Sequence, residues 1–213
     1  MAATAAPFPI EETTIATLHA AYVSGRATAV SVCQAHLDRI AAYDRKGPAL
    51  GAIIINNPHA LADAAVLDAA LASTGKLVGP LHGIPVLVKD NYDVAGLQTT
   101  GGSAALLGWI PQTDAAVIGR IKAAGGIVLA KTSMSEWARG GTDINSVLPG
   151  FARNPYNTAY ATGGSSGGTG SGLAASFGVV GLGSDTFGSI RNPASNNAML
   201  ACARAGRWFP GPA

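Results

Sequence analysis

The first third of the chain carries apolar residues at the spacing of amphipathic helices. The pattern predicts a helix over residues 11–24 and another over 28–43, with Gly25 between them. Thr28 belongs to the residue types that favour the N-cap position, so it is the expected start of the second helix. An alanine-rich stretch over residues 58–73 predicts a third helix.

Short, continuous apolar runs alternate with helical segments along the rest of the chain. Such runs are typical of strands that are buried on both faces. They predict strands over residues 51–55, 84–88, 127–130 and 179–182. The segments between them predict helices over residues 114–124, with Asp114 as the candidate N-cap, and 167–177. The alternation indicates an α/β fold with a mixed, largely buried β-sheet that helices cover on both faces.

The composition is that of a folded protein with a large core. Of the 213 residues 48% are apolar and 12% are charged, and the net charge is +2, which argues against a disordered chain. There is no basic run for nucleic acid, no apolar stretch long enough to span a bilayer, and no secretory signal over residues 1–10. We therefore expect a cytoplasmic protein with no nucleic-acid or membrane partner. Cys33 and Cys202 are expected to be reduced thiols, and the scattered histidines offer no metal site.

Two glycine-flanked serine segments and one upstream lysine are the strongest candidates for chemistry. Residues 163–168 have the sequence Gly-Gly-Ser-Ser-Gly-Gly, and Ser189 follows 24 residues after Ser165. Glycine permits positive φ angles and close backbone approach, and hydroxyl groups in such loops suit nucleophilic catalysis beside backbone N–H donors. Lys89 ends the apolar run of the second predicted strand, where burial is expected to lower its pKa toward that of a useful base.

Together these motifs resemble the amidase signature family. The resemblance depends on the Gly-Gly-Ser-Ser-Gly-Gly segment, on Gly-Ser-Asp-Thr-Phe-Gly-Ser-Ile-Arg at residues 183–191, and on Lys89 followed by Asp90. It extends from about residue 77 to residue 198. The order and spacing of three separate motifs make it specific, whereas a glycine-rich loop alone would not.

The resemblance implies an acyl-enzyme mechanism for hydrolysis of a carboxamide C–N bond. Ser189 corresponds to the nucleophile, Ser165 to a bridging serine that the family holds after a cis peptide bond, and Lys89 to the general base. The expected oxyanion hole consists of the backbone N–H groups of Thr186, Phe187, Gly188 and Ser189. The expected supporting residues are Ser166, Asp185 and Arg191, of which the last two form either a buried pair or a surface salt bridge.

The same resemblance implies no metal and no organic cofactor. It implies a small-molecule amide as the substrate, and because the family often forms dimers, a homodimer is one expected assembly. The chain departs from a common family pattern at Phe187, where many members carry glycine. The aromatic ring needs space, so this position is expected to affect local shape and substrate fit.

Two other interpretations of the glycine-rich region are weaker. Residues 163–167 match the G-x-S-x-G pattern of α/β-hydrolases, but no histidine follows Ser165 to complete a triad in that order. Residues 170–175 loosely fit a dinucleotide-binding pattern, but no apolar strand precedes them. We therefore reject the first interpretation and attribute the second to chance in a glycine-rich chain.

The resemblance implies a single, partial amidase domain over residues 1–213, so the family fold is expected to be incomplete. Its expected parts are a helical N-terminal part at residues 1–75, a signature core at 76–198 and an irregular tail at 199–213. The tail is rich in Arg, Ala, Gly and Pro without periodicity, as expected of a GC-rich gene translated in a shifted frame. The alternative hypothesis is therefore a truncated, inactive amidase remnant or half of a split protein, with an unpaired sheet edge.

Overall fold

The computed structural model describes residues 8–139, 145–146, 148 and 150–203. The helices are α1 (Ile15–Val23), α2 (Ala29–Tyr43), α3 (Ala60–Thr74), α4 (Ala116–Ala123), α5 (Gly167–Ala174) and α6 (Arg191–Asn196). The strands are β1 (Ile53–Asn56), β2 (Ile84–Lys89), β3 (Gly126–Thr132), β4 (Asn145–Ser146), β5 (Gly150–Phe151) and β6 (Val180–Leu182). Short 3-10 turns occupy Ala104–Leu106 and Glu136–Ala138.

A four-stranded mixed sheet in the order β1-β3-β2-β6 forms the centre of the protein. Strand β2 is parallel to both β3 and β6, and β1 is antiparallel to β3. Lys89 lies opposite Thr132 in this register, and Val88 lies opposite Lys131. Parallel strands end at the same edge of a sheet, so two lysines come together where β2 and β3 end.

Helices cover both faces of the sheet, as predicted from the alternating pattern. On one face, Ile84 and Leu87 of β2 belong to a core that includes buried residues of α1, α2 and α3. On the other face, Val86 and Val88 pack with Ile118 of α4. All six residues of β2 are buried, which explains why its sequence is continuously apolar up to its final lysine.

The predicted helix starts were right at one position and wrong at another. Thr28 caps α2 through a reciprocal capping box with Ser31, as its residue type suggested. The prediction of Asp114 as a cap was wrong, because α4 begins after Ala115. The Asp114 carboxylate instead accepts a hydrogen bond from Ala95 N and pairs with Lys122, so tertiary partners compete successfully with the local cap.

Helix α6, directly after the second serine motif, was not predicted. Residues 199–203 form no helix or strand, and the rest of the predicted tail, residues 204–213, lies outside the described residues. Both cysteines are free, with Cys33 buried and Cys202 exposed. None of the helices in the described ranges is long and apolar enough to cross a membrane.

Candidate active site

Lys89 lies completely inside the protein at the end of β2, with 0% of its surface exposed. Its Nζ donates hydrogen bonds to Ser165 Oγ at 2.7 Å and to Ser184 Oγ at 2.8 Å. Within the described part of the chain it forms no ion pair. Burial therefore lowers the pKa of Lys89 from 10.5 to about 8, although the charge of Asp185 opposes this effect. At pH 7 roughly a tenth of these amines are neutral and able to accept a proton.

Ser165 lies in the loop that precedes α5, and the peptide bond between Gly164 and Ser165 is cis. Ser165 is buried, and its carbonyl accepts a hydrogen bond from Ser135 N at 3.2 Å. Gly163 has a φ of 71°, and a Cβ added there would lie 2.4 Å from Asn192 Oδ1. Glycine is therefore required at this position both for backbone conformation and for close packing.

Helix α5 lies too close to its neighbours to serve as a phosphate-binding loop. A Cβ added at Gly168 would lie 2.4 Å from the carbonyl oxygen of Ser133, and one added at Gly172 would lie 2.9 Å from Leu87 Cδ1. The glycines allow the helix to approach the sheet directly. The pattern at residues 170–175 is thus explained by packing rather than by a nucleotide.

Ser184 is a member of this cluster that the sequence analysis did not single out. Its hydroxyl accepts from Lys89 Nζ and also from Asn91 Nδ2, at 2.9 Å. Its backbone N–H donates to Ser166 Oγ at 3.3 Å, which ties the two serine segments together. The residue follows Gly183 in the second motif, so its place in that motif was the available signal. Only the tertiary structure showed that it contacts the lysine.

Ser189 is half-buried and lies next to the first serine loop. Its carbonyl accepts a hydrogen bond from Ser166 N at 3.2 Å. The structure thus brings the two serine segments together, as the motif order suggested. Among the described residues, however, the Ser189 hydroxyl forms no hydrogen bond, and so none joins it to the Ser165 hydroxyl. Lys89 and Ser165 are therefore hydrogen-bonded to each other, whereas Ser189 contacts the first serine loop through its backbone carbonyl.

Asp185 holds the loop that carries Ser189. Its carboxylate accepts from Gly188 N at 2.7 Å and from Ile190 N at 3.0 Å. Arg191 also donates to it, and this guanidinium holds the pKa of the Asp185 carboxyl well below its usual range. The side chain of Asp185 is 8% exposed and that of Arg191 is 69% exposed, so the pair is buried on one side only. Its role is to fix the loop.

This arrangement corrects the predicted oxyanion hole. The N–H of Gly188 is directed to Asp185, so it is not available to a substrate. Within the described residues the N–H groups of Thr186, Phe187 and Ser189 have no acceptor, and these three remain candidates. The Phe187 side chain is 98% exposed, so it does not crowd the described residues of this loop, and its expected effect on substrate fit stays a prediction.

A second buried lysine lies one strand away and was also not anticipated. Lys131 of β3 is 0% exposed and forms an ion pair with Asp90 Oδ1 at 2.8 Å. Its Nζ also donates to Thr99 Oγ1 at 2.7 Å. Burial lowers the pKa of Lys131, and the negative charge of Asp90 opposes this.

The chain is similar to known proteins both in sequence and in structure. The family model described as Amidase matches residues 31–200. One subunit of the glutamyl-tRNA(Gln) amidotransferase of Alkaliphilus metalliredigens is 42% identical over 186 residues, which cover 87% of this chain and 37% of that protein. The corresponding subunit of Acidothermus cellulolyticus is 43% identical over 85% of this chain and 35% of that protein.

Solved structures give the same result for the fold. The native peptide amidase from Stenotrophomonas maltophilia matches with a TM-score of 0.85 and 44% identity, over 90% of this chain and 40% of that one. A fatty acid amide hydrolase matches with a TM-score of 0.81 and 27% identity, over 90% of this chain and 33% of that one. The chain therefore has the fold of these proteins but spans only about a third to two fifths of their length.

Proposed function

The chain belongs to the amidase family, and from that premise we propose that it carries the acyl-transfer centre of an enzyme that hydrolyses carboxamide C–N bonds. The observation that carries this proposal is the hydrogen bond of 2.7 Å between Lys89 Nζ and Ser165 Oγ. A fully buried lysine that has no carboxylate partner among the described residues, with its pKa lowered to about 8, is a suitable general base near neutral pH.

In the proposed first step the Ser189 hydroxyl attacks the carboxamide carbon. Its proton passes to Ser165 Oγ while the Ser165 proton passes to the neutral amine of Lys89, so the lysine ends as an ammonium. This relay requires the Ser189 side chain to turn toward Ser165. The backbone of Ser189 already contacts the first serine loop, and catalytic hydrogen bonds commonly tighten only when substrate is bound.

The tetrahedral intermediate carries a negative oxygen that needs donors. The N–H groups of Thr186, Phe187 and Ser189 are proposed to supply them, on a loop that Asp185 holds in place. Each such donor contributes about 3–4 kcal/mol to the stability of the transition state. Because the donors belong to the backbone, the Phe187 side chain does not impair them.

The C–N bond then breaks, and the ammonium of Lys89 returns a proton through Ser165 to the leaving ammonia or amine. Water resolves the acyl-enzyme by the same proton path in reverse. Ser184 accepts a second hydrogen bond from Lys89 Nζ and so keeps the amine directed at Ser165. In this mechanism Ser184 is a positioning residue.

A second candidate is that this polypeptide is one part of a larger assembly and is inactive alone. Within the described residues no strand pairs with the outer side of β6. A cavity of about 360 Å³ lies beside that strand, lined by Leu173, Val180, Leu182, Ile190, Met199 and Leu200 among others. An open strand edge next to an apolar cavity suits further polypeptide. Relatives that are named as amidotransferase subunits also favour a partner.

Reaction of the purified chain with a fluorophosphonate, together with ammonia release from simple amides, tests the first candidate. We expect label on Ser189, loss of label and activity in Ser189→Ala, and retention of both in Ser195→Ala, which changes an exposed serine of α6. Equal labelling of the Ser189→Ala variant contradicts the mechanism. A folded wild-type chain that neither reacts nor hydrolyses amides favours the second candidate.

A further inference from the structure

A cavity of about 320 Å³ opens beside the candidate active site and has no part in the proton relay. Its volume is within the range of pockets that bind small molecules. The residues that matter for its chemistry are Asn91, Asp93, Leu106, Trp109, Met134 and Trp137. It is separate from the apolar cavity beside β6.

The walls of this cavity are hydrogen-bonded to the catalytic cluster on two sides. On one side, Asn91 Nδ2 donates to the same Ser184 hydroxyl that accepts from Lys89. On the other side, the segment that carries Met134 and Trp137 is attached at Ser135, whose N–H donates to the carbonyl of Ser165. A ligand in the cavity is therefore next to the lysine and the first serine.

Both tryptophans are held by one short strip of backbone, residues 99–101. The N–H of Thr99 donates to the carbonyl of Trp109, and the N–H of Trp137 donates to the carbonyl of Gly101, at 3.0 and 2.9 Å. The N–H of Gly101 in turn donates to the carbonyl of Asp90, the residue after the candidate base. The backbone at both tryptophans is therefore connected, through this strip, to the residue that follows the candidate base.

The indoles are exposed although they lie in a concave site. Trp109 is 55% and Trp137 is 56% exposed, and the backbone at Trp137 and Ala138 has φ values of 53° and 57°. A left-handed backbone at consecutive non-glycine residues costs about 1–3 kcal/mol for each, and such residues cluster at ligand-binding sites. Exposed indoles beside Met134 offer a surface on which a flat aromatic group can stack.

The charge on the described lining of the cavity is negative. Asp93 is exposed and is the only charged residue among the described residues that line the cavity. Lys131, whose charge interacts with Asp93, is fully buried behind the wall and paired with Asp90. A carboxylate on a ligand would therefore meet a like charge, whereas an ammonium group would be attracted both to Asp93 and to the indole faces.

We propose that this cavity selects the substrate: it binds an aromatic group of the amide and discriminates against a negative charge on that group. The indoles supply the stacking surface, and Asp93 supplies the charge discrimination. The inference rests on the proposed function, because an amide held here matters only if Ser189 attacks it. Aromatic binding, however, can be measured without turnover.

The test measures equilibrium binding of small amides to the Ser189→Ala protein. Tryptophan fluorescence and NMR of the ligand are the two readouts. The probes are benzamide, 4-(aminomethyl)benzamide, 4-carbamoylbenzoate and, as the non-aromatic reference, acetamide. We expect the amine to bind at least 10-fold more tightly than the carboxylate, and acetamide to bind at least 10-fold more weakly than benzamide. Trp137→Ala and Trp109→Ala should each weaken benzamide binding 5-fold or more, whereas Tyr156→Ala, an exposed aromatic outside the cavity, should leave it unchanged.

Further variants separate the possible outcomes. Asp93→Asn should reduce the preference for the amine without weakening benzamide binding, and Trp137→Phe should retain most of the benzamide affinity. The inference is overturned if benzamide binds equally well to the Ser189→Ala protein and to its folded Trp137→Ala derivative. It is also overturned if 4-(aminomethyl)benzamide and 4-carbamoylbenzoate bind equally well. Label on Ser189 without aromatic binding leaves the proposed function standing and removes this inference. Aromatic binding without label removes the proposed function and, with it, substrate selection, and leaves only an aromatic-binding cavity.

Discussion

Lys89 and Lys131 lie on neighbouring strands, are both completely buried, and differ in what they contact. The amine of Lys89 is surrounded by the hydroxyls of Ser165 and Ser184. The amine of Lys131 is paired with the Asp90 carboxylate at 2.8 Å. Burial lowers the pKa of both lysines, but only Lys131 has a carboxylate in contact to stabilise its charge. Burial alone therefore does not make a base, and the nearest partner decides whether a buried lysine gives up its proton.

The two lysines consequently suit different tasks. Lys89 can exchange a proton with a serine, because its neutral form leaves no uncompensated charge behind. Lys131 acts as a fixed cation that holds together Asp90 and Thr99, and through them the strip that carries both indoles. Its neutral form would leave a buried carboxylate without its partner. The contrast predicts that the two lysines fail in different ways when they are replaced.

The largest expected effect is on turnover in Lys89→Met. Removing the proposed base should lower kcat by about 10²- to 10⁴-fold, because general base catalysis contributes a factor of that order. The folded state should not be weakened, since methionine fills a similar volume without a charge. Steady-state kinetics on a simple amide measures the effect, with Lys76→Met, an exposed lysine, as the matched control. If the Lys89→Met protein retains activity near that of wild type, Lys89 is not the general base and the proposed difference in role between the two lysines is wrong.

The next largest expected effect is on stability in Lys131→Met. This change leaves the Asp90 carboxylate buried without its cation, and we expect a loss of about 3–5 kcal/mol in the free energy of unfolding. Urea denaturation at pH 7 measures it. Asp90→Asn combined with Lys131→Met should recover most of the loss, because no buried charge remains. If the single variant is as stable as wild type, the pair is not the fixed ion pair described above.

A smaller effect is expected on the pH dependence of stability. The pKa of Lys89 is about 8 when folded and 10.5 in the reference state, so between these values the unfolded chain binds more protons than the folded one. The free energy of unfolding should therefore rise between about pH 8 and pH 10.5, by about 3 kcal/mol in total. Below pH 8 the destabilisation that comes from burying the charged Lys89 amine is fully present. The difference in unfolding free energy between wild type and Lys89→Met isolates it from Lys131. A difference that is constant over this interval contradicts the lowered pKa.

Much of the framework could be predicted because it depends on local patterns. The apolar run at residues 84–88 gave strand β2, and its position implied that the following lysine would be buried, which is confirmed. Thr28 was identified as a cap from its residue type, and its partner, Ser31, lies only three residues away. Asp114 was assigned wrongly because its carboxylate bonds to Ala95, 19 residues earlier, and to Lys122 near the end of α4, and not to the first turn of that helix.

The details of the site depended on contacts that no local pattern contains. Ser184 contacts a lysine 95 residues earlier in the chain, and Gly188 donates to a carboxylate that the motif suggested only as support. Lys131 appeared in the sequence as one polar residue at the end of an apolar run, with nothing to show that Asp90 would face it. Hydrogen-bond partners of this kind are set by the packing of strands and loops.

The sequence by itself determined the order of the helices α1–α5 and of the four strands of the central sheet, the burial of β2 and the three motifs that identify the family, because these depend on periodicity and residue type over short distances. Only the tertiary structure decided which buried lysine has no carboxylate partner among the described residues, which backbone N–H groups stay available and which cavity the two indoles line. Desolvation and Coulomb energies depend on all the atoms near a group, and those atoms come from distant parts of the chain.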